Sequence, residues 1–151
     1  MISAAGAWAP AVLRAVIEST AAAHGVHEAL VTGSKRFSYA ELYANSLQRA
    51  QSLHALGIRR GDHIGILMGN NAAWVTLFFG AAMIGAVTVP VNTRFKASEL
   101  AFCLKQADVK ALFVADKFLI QGRKEADRVP LHRVSRHRRA AFPCARRSAP
   151  R

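Results

Sequence analysis

A long stretch without charged side chains constrains the fold of this chain most. From Ile64 to Thr93 there is no Asp, Glu, Lys or Arg, and the run from Ala72 to Val91 is long enough to cross a bilayer. The stretch is punctuated, however, because Asn70-Asn71 suits a helix start and Gly85 suits a helix end. The β-branched residues that follow, up to Pro90, are typical of a strand. We therefore expect a helix of about four turns and a short buried strand, and no membrane span.

Cap, turn and periodicity signals divide the rest of the chain into helices and strands. The predicted helices are 11–24, one that Ser38 caps and Gly57 ends, 71–84, and 99–107 with Ser98 as its cap, and the predicted strands are 29–32, 36–38, 63–68, 87–91 and 111–114. The first two strands form a hairpin. The others are apolar and separated by helices, which implies an α/β fold with a parallel sheet covered on both faces.

The helix that begins after Ser38 carries the clearest local signals. Ser38 and Glu41 have the spacing of a capping box, in which the hydroxyl and the carboxylate each satisfy a free backbone N–H group. Apolar residues at helical spacing then predict the side of the helix that faces the core. These residues are Tyr43, Leu47, Ala50, Leu53 and Gly57.

Four motifs in order resemble the adenylate-forming (AMP-dependent) synthetase/ligase family. They are Phe37-Ser38-Tyr39-Ala40-Glu41-Leu42, the Leu-Gly, basic and Gly-Asp segment from Leu56 to Ile66, the run from Asn70 to Asn92, and the helix and strand from Glu99 to Val114. The sequence Val89-Pro90-Val91-Asn92-Thr93-Arg94 is similar to the corresponding motif of the acyl-CoA synthetase branch of this family. The resemblance covers residues 11–116 and implies the leading portion of the large N-terminal domain of such a ligase.

The resemblance implies a two-step reaction and a set of cofactors. ATP activates a carboxylic or fatty acid as an acyl-adenylate, CoA then displaces AMP, and Mg²⁺ is the usual metal. In CoA-forming relatives a basic residue at the position of Arg94 approaches the phosphates of CoA, and a guanidinium suits phosphate bidentately. Lys96 is a weaker candidate for the same contact, and a solvated side chain is the alternative for both.

Parts that this chemistry needs do not occur in the sequence. Holding a triphosphate takes a Gly/Ser/Thr-rich loop with a lysine, and the glycines at 80 and 85 have apolar neighbours instead. The resemblance places the metal-binding Glu, the ribose-binding Asp and the catalytic Lys of the family downstream of this chain. We therefore expect a truncated member that is inactive alone, that self-associates through an unfinished sheet and that is cytoplasmic.

The net charge of +12 is concentrated in the last fifth of the chain. Residues 1–121 hold 11 Lys and Arg against 7 Asp and Glu, whereas residues 122–151 hold 10 against 2. The sequence divides into a flexible N-terminus (1–10), a partial ligase domain (11–121) and a disordered Arg-rich tail (122–151), which has the composition of an out-of-frame product. The alternative function is a small basic nucleic-acid-binding protein that acts through this tail.

Other reactive residues have structural interpretations that we expect to hold. His24 and His27 lack a third metal ligand at helical spacing and are expected at the surface. Cys103 is expected in the core, and Asp62 in a turn. The aromatic residues Trp74, Phe78 and Phe79 are expected to pack rather than to bind a cofactor. The sequence assigns no catalytic residue and no metal site.

Overall fold

Helices and strands alternate as the sequence predicts. The computed structural model describes residues 12–118 and the backbone of 133–137. The helices are α1 (Leu13–His24), α2 (Tyr39–Ala55), α3 (Ala72–Met83) and α4 (Ala97–Gln106), and the strands are β1 (Glu28–Thr32), β2 (Lys35–Ser38), β3 (His63–Leu67), β4 (Val87–Pro90), β5 (Val109–Ala115) and β6 (Arg133–His137). The bounds differ from the predicted ones by at most three residues within this part of the chain. The expected flexible N-terminus lies outside the described residues.

The four strands that follow β2 form one parallel sheet in the order β4-β3-β5-β6. The predicted hairpin of β1 and β2 is confirmed as a separate antiparallel pair. Strand β3 is therefore central, with Ile64 opposite Thr88 of β4 on one side and Ala111 of β5 on the other. Because β4 and β5 lie on opposite sides of β3, the chain crosses the sheet in both directions, and helices cover both of its faces.

Alternating side chains of β3 and β5 supply two separate cores. Ile64, Ile66 and Phe113 join the core under α3, together with Leu77 and Ala81 of that helix. The other face is a core of its own under α4. Its buried members are Leu67, Val91, Leu100, Leu104, Val109, Leu112 and Val114. The period of two along each strand thus explains why both faces of the sheet are apolar.

The buried side of α2 differs from the predicted one. The buried residues are Leu42, Ser46, Ala50 and Leu53, whereas Leu47 is 41% exposed. Ser46 is buried because its hydroxyl donates to the Leu42 carbonyl oxygen at 2.7 Å, so no polar group is left unsatisfied. Helix α3 packs on these four residues. Tyr43 and Leu47 lie outside this contact and are nearer the surface.

Local capping chemistry confirms one prediction and corrects another. The Glu41 N–H donates to Ser38 Oγ at 3.2 Å and the Ser38 N–H donates to Glu41 Oε2 at 2.9 Å, which is the predicted capping box of α2. Ser98 is not the cap of α4, because that helix begins at Ala97 with Lys96 as its N-cap. The Glu99 carboxylate accepts from the Lys96 N–H at 2.7 Å, so the hydrogen bond at this end of the helix comes from a carboxylate and not from a cap hydroxyl.

The charge-free stretch divides into the predicted helix and strand. Asn71 caps α3 by accepting from the Trp74 N–H at 3.0 Å, and Gly85 follows the helix with a φ of +72°. Within residues 12–118, no helix is both long and apolar enough to cross a membrane. The 12 residues of α3 rise only about 18 Å.

The outer strands of the described sheet have different edges. Strand β4 ends at Pro90, which has no N–H group to offer a further strand. At the opposite side, β6 lies within the tail for which the sequence predicts disorder, and it pairs with β5 from Ala111 to Ala115. The structure differs from the expectation for these five residues, since the open edge of β5 offers backbone partners to them. The rest of residues 122–151 lies outside the described part.

Candidate functional site

The carboxyl ends of the parallel strands bring three loops to one edge of the sheet. Strand β3 leads into Gly69-Asn70-Asn71, β4 into the turn 91–94, and β5 into the short turn Asp116–Phe118. In open α/β sheets, ligands bind at this edge between two neighbouring strands whose following connections lead to opposite sides of the sheet. The chain leaves β3 towards β4 and leaves β5 towards β6, so this condition is met between β3 and β5.

Arg94 lies on this edge, held by a turn that its neighbour Asn92 organises. The Arg94 N–H donates to Asn92 Oδ1 at 3.0 Å, and the Phe95 N–H donates to the Asn92 carbonyl oxygen at 3.1 Å. The turn is anchored to the sheet because the buried Val91 donates its N–H to the Ile66 carbonyl oxygen at 3.1 Å. Arg94 is exposed, and no carboxylate of residues 12–118 forms an ion pair with it. Its guanidinium is thus available for an anion.

Lys117 is a second cation at this edge that the sequence analysis did not single out. A Cβ placed on Gly69 would lie 3.6 Å from Lys117 Nζ, so the ammonium group lies against the loop after β3. The same nitrogen lies 4.8 Å from the centroid of the Phe118 ring, a cation–π distance. Its position in the turn that follows the buried strand β5 is the signal that could have identified it. Lys96, the weaker candidate, is exposed at the start of α4.

Asp62 lies at the opposite, amino end of the strands and has a structural role. Its Oδ2 accepts from Lys110 Nζ at 2.7 Å and from the Arg59 N–H at 2.7 Å. The hydrogen bond from Lys110, followed by that from Arg59, lowers the pKa of the Asp62 carboxyl. The expected turn chemistry is therefore present, and the ion pair also ties the start of β3 to β5.

The two histidines and the cysteine do not assemble a reactive site. His24 and His27 are exposed, with ring centroids 5.6 Å apart. The described residues contain no group of three or more His, Cys, Asp or Glu side chains that could hold a metal ion. Cys103 is half-buried rather than in the core, because the adjacent Leu104 takes the position that faces the sheet.

The aromatic residues of α3 pack against one another. Trp74 and Phe78 are stacked with centroids 5.6 Å apart, and Phe79 contacts Phe78 edge-on at 5.4 Å. All three are half-buried, which agrees with the expected packing role. They lie on α3, the helix that starts at the carboxyl edge of the sheet.

The fold is an α/β fold with a parallel sheet, and Arg94 and Lys117 lie at the carboxyl ends of its strands. The family model described as "AMP-binding enzyme" matches residues 17–145. This chain therefore belongs to the AMP-binding enzyme family. The match includes most of the basic tail, and it gives no support to the alternative of a nucleic-acid-binding protein.

Individual relatives agree with this assignment. The chain is 43% identical over 77 residues to the long-chain-fatty-acid–CoA ligase FadD13 of Mycobacterium tuberculosis, which is 51% of this chain and 15% of that ligase. It is 31% identical over 129 residues to the crotonobetaine/carnitine–CoA ligase of Salmonella paratyphi A, 81% of this chain and 25% of the relative. Among solved structures, the anthranilate CoA ligase AuaEII in complex with anthranoyl-AMP matches with a TM-score of 0.79 and 26% identity, over 83% of this chain and 25% of that one. The chain thus spans a quarter or less of each.

Proposed function

We propose that this chain forms the leading part of an acyl-CoA synthetase, whose complete form activates a carboxylic or fatty acid with ATP and transfers the acyl group to CoA. The observation that carries the proposal is the family match, which spans the described sheet and its cationic edge. CoA ligases among the relatives support the acyl-CoA synthetase branch. We also propose a cytoplasmic location, with which a chain of only two cysteines, Cys103 and Cys144, is compatible.

The chain by itself does not form acyl-adenylate under this proposal. Its sequence has no Gly/Ser/Thr-rich loop with a lysine to hold a triphosphate. Carboxylate-dependent exchange of pyrophosphate into ATP tests this directly. We expect no exchange with the purified chain, and robust exchange would overturn it.

Within this function, Arg94 is proposed to bind a phosphate group of CoA. Its exposure, its lack of an ion-pair partner within residues 12–118 and the rigid turn around Asn92 support the role. Isothermal titration of the chain with CoA should show binding that Arg94→Ala weakens by about tenfold, since a charge-assisted contact contributes roughly 1.5 kcal/mol. Arg94→Lys should restore only part of the affinity, because an ammonium group cannot form the bidentate contact.

A matched control separates this contact from a general effect of positive charge. Arg60 is also an exposed arginine in a turn, but it lies near Gly85 at the amino end of the strands. Arg60→Ala should leave CoA affinity unchanged if the site is at the carboxyl edge. Equal losses for Arg60→Ala and Arg94→Ala would show that CoA follows net charge and would contradict the proposed site.

A further inference from the structure

The turn after β4 restrains the backbone of Arg94 from both sides. Before it, Pro90 has a restricted φ, and the buried Val91 donates its N–H to a carbonyl oxygen of β3 at 3.1 Å. After it, the Phe95 N–H donates to the Asn92 carbonyl oxygen at 3.1 Å. Arg94 therefore lies on a short segment that is tied to the central strand at one end and closed by a backbone hydrogen bond at the other.

Asn92 supplies the hydrogen bond that holds Arg94 itself. Its Oδ1 accepts from the Arg94 N–H at 3.0 Å, which is the arrangement of an Asx turn. The Asn92 side chain is exposed, so it makes this bond at the surface and not as part of either core. The bond joins residues only two positions apart, and its effect is therefore on the local direction in which the chain presents Arg94.

The same hydrogen bond decides which atoms of Arg94 can reach an anion. Because Asn92 Oδ1 takes the Arg94 N–H, that backbone donor is not available to a ligand. The guanidinium forms no ion pair with a carboxylate of residues 12–118. An anion at this turn would therefore be bound by the arginine side chain. A long side chain loses rotamer freedom on binding, and a turn that is already ordered keeps the backbone from adding to that cost.

We propose that Asn92 is a positioning residue for the anion site at Arg94, and that it acts through the backbone of the turn without touching the ligand. This role rests on the proposed CoA contact of Arg94, and it goes beyond that contact because it involves a second side chain. A positioning residue contributes to affinity only while the residue that it positions is present. That property distinguishes the role from a direct contact and from a general effect on the fold.

Isothermal titration of the full chain with CoA tests the role in a double-mutant cycle. Asn92→Ala should weaken CoA binding by about fivefold when Arg94 is present, because binding must then order the turn. In the Arg94→Ala background the same substitution should change the affinity by less than about twofold. A loss that persists in the Arg94→Ala background would show that Asn92 contacts CoA itself or acts through the fold, and it would overturn the proposal.

Two further variants separate the lost acceptor from the loss of a side chain in general. Asn92→Ser keeps an oxygen that can accept from the N–H two residues further on, so it should recover most of the affinity. Asn45→Ala makes the same substitution as Asn92→Ala within α2 and should leave CoA affinity unchanged. An Asn92→Ser protein that binds CoA as weakly as Asn92→Ala, or an equal loss from Asn45→Ala, would contradict the proposal.

Amide hydrogen exchange gives a readout that needs no ligand. The Arg94 N–H should exchange more slowly in the wild type than in Asn92→Ala, with Asn92→Ser between them, because the side-chain oxygen protects it. The Val91 N–H, bonded to the Ile66 carbonyl oxygen, is the internal reference and should exchange at the same rate in all three proteins. Equal exchange of the Arg94 N–H in the wild type and Asn92→Ala would overturn the positioning role.

The titrations also distinguish this proposal from the one on which it rests. If Arg94→Ala weakens CoA binding and Asn92→Ala does not, the CoA contact stands and the positioning role is wrong. If neither substitution changes the affinity, the CoA contact of Arg94 is wrong, and the positioning role is overturned with it.

Discussion

Gly80 of α3 lies against the main chain of α2 at Ser46. A Cβ at Gly80 would lie 2.9 Å from the Ser46 carbonyl oxygen and 2.7 Å from the Arg49 Cβ, closer than such atoms approach in proteins. This contact sets the separation of the two helices, and the buried hydroxyl of Ser46 turns back to its own helix instead of crossing to α3.

The first prediction concerns this contact. Gly80→Ala must push α3 away from α2, and we expect the free energy of unfolding in urea to fall by about 1–3 kcal/mol, despite the better helix propensity of alanine. Gly69→Ala is the control, since its Cβ would meet only Lys117 Nζ, at an ordinary 3.6 Å. A Gly80→Ala protein as stable as Gly69→Ala would contradict the close approach.

The second prediction uses the capping box of α2. Ser38→Ala removes the acceptor of the Glu41 N–H and should lower the free energy of unfolding by about 1 kcal/mol. Ser52→Ala is matched to it, because Ser52 is exposed within the same helix and its hydroxyl bonds only to the Gln48 carbonyl oxygen. That control should change stability by less than about 0.5 kcal/mol. Equal effects would show that the cap is not formed.

The third prediction concerns pH and the ion pair of Asp62 with Lys110. The pKa of Asp62 is lowered in the folded chain by the hydrogen bonds from Lys110 and Arg59. A lowered folded pKa adds stability above the unfolded pKa of about 3.9, and that stability is lost as the pH falls through the folded pKa. Asp62→Asn should therefore reduce the free energy of unfolding by about 1–2 kcal/mol at neutral pH.

Urea unfolding at several pH values checks the sign of this effect. The difference between the wild type and Asp62→Asn should be constant from neutral pH down to about pH 5 and should shrink below about pH 4. A difference that grows on acidification would mean that the folded pKa is raised. Lys110→Met should remove most of the pH dependence that Asp62 contributes, because it deletes the largest cause of the shift.

The fourth prediction concerns Lys117 as a second cation of the carboxyl edge. Lys117→Ala should weaken CoA binding by about fivefold, close to 1 kcal/mol, and the loss should decrease at high salt. Lys105→Ala removes an exposed lysine from the last turn of α4, away from this edge, and should have no effect in the same titration. If Arg94→Ala weakens binding and Lys117→Ala does not, the anion is held by the β4 turn alone.

The fifth prediction concerns self-association, which we propose from the unfinished sheet and its apolar surroundings. Phe102 of α4 is 70% exposed beside the apolar groove along that helix, and Val87 on the outer strand β4 is 44% exposed. Sedimentation velocity should show weight-average mass rising with concentration. Phe102→Lys should reduce that rise, whereas Gln48→Lys, with the same added charge, should not. A monomer at every concentration would contradict the proposal.

Local chemistry explains which features could be predicted from the sequence. Ser38 with Glu41, and Asn71 before α3, could be identified because a cap depends on residues within one turn. The buried side of α2 could not be identified with the same certainty. Two adjacent rows of side chains on that helix share Ala50 and Leu53. The buried row contains Ser46, and a serine at that position makes the other row look like the buried one. Only the hydrogen bond from Ser46 to the Leu42 carbonyl oxygen explains how the serine can be buried.

The candidate site was predictable only in part for a different reason. Arg94 belongs to a motif that is continuous in sequence, so it could be singled out directly. The contact of Lys117 with the loop at Gly69 depends on strand order, since β3 and β5 are neighbours in the sheet but are separated by β4 in the chain. The parallel sheet follows from the alternation of elements, whereas which strands are adjacent requires the structure.

Pro90 limits which side of the sheet can pair with a further strand. The Val87 and Val91 N–H groups donate towards β3, so Thr88 and Pro90 face outward, and only Thr88 has a hydrogen to donate. An incoming strand would find a single donor on this side, and we expect it to add beyond β6 instead. The described sheet is therefore closed to strand pairing at β4, and any edge-to-edge association with another strand is confined to the β6 side.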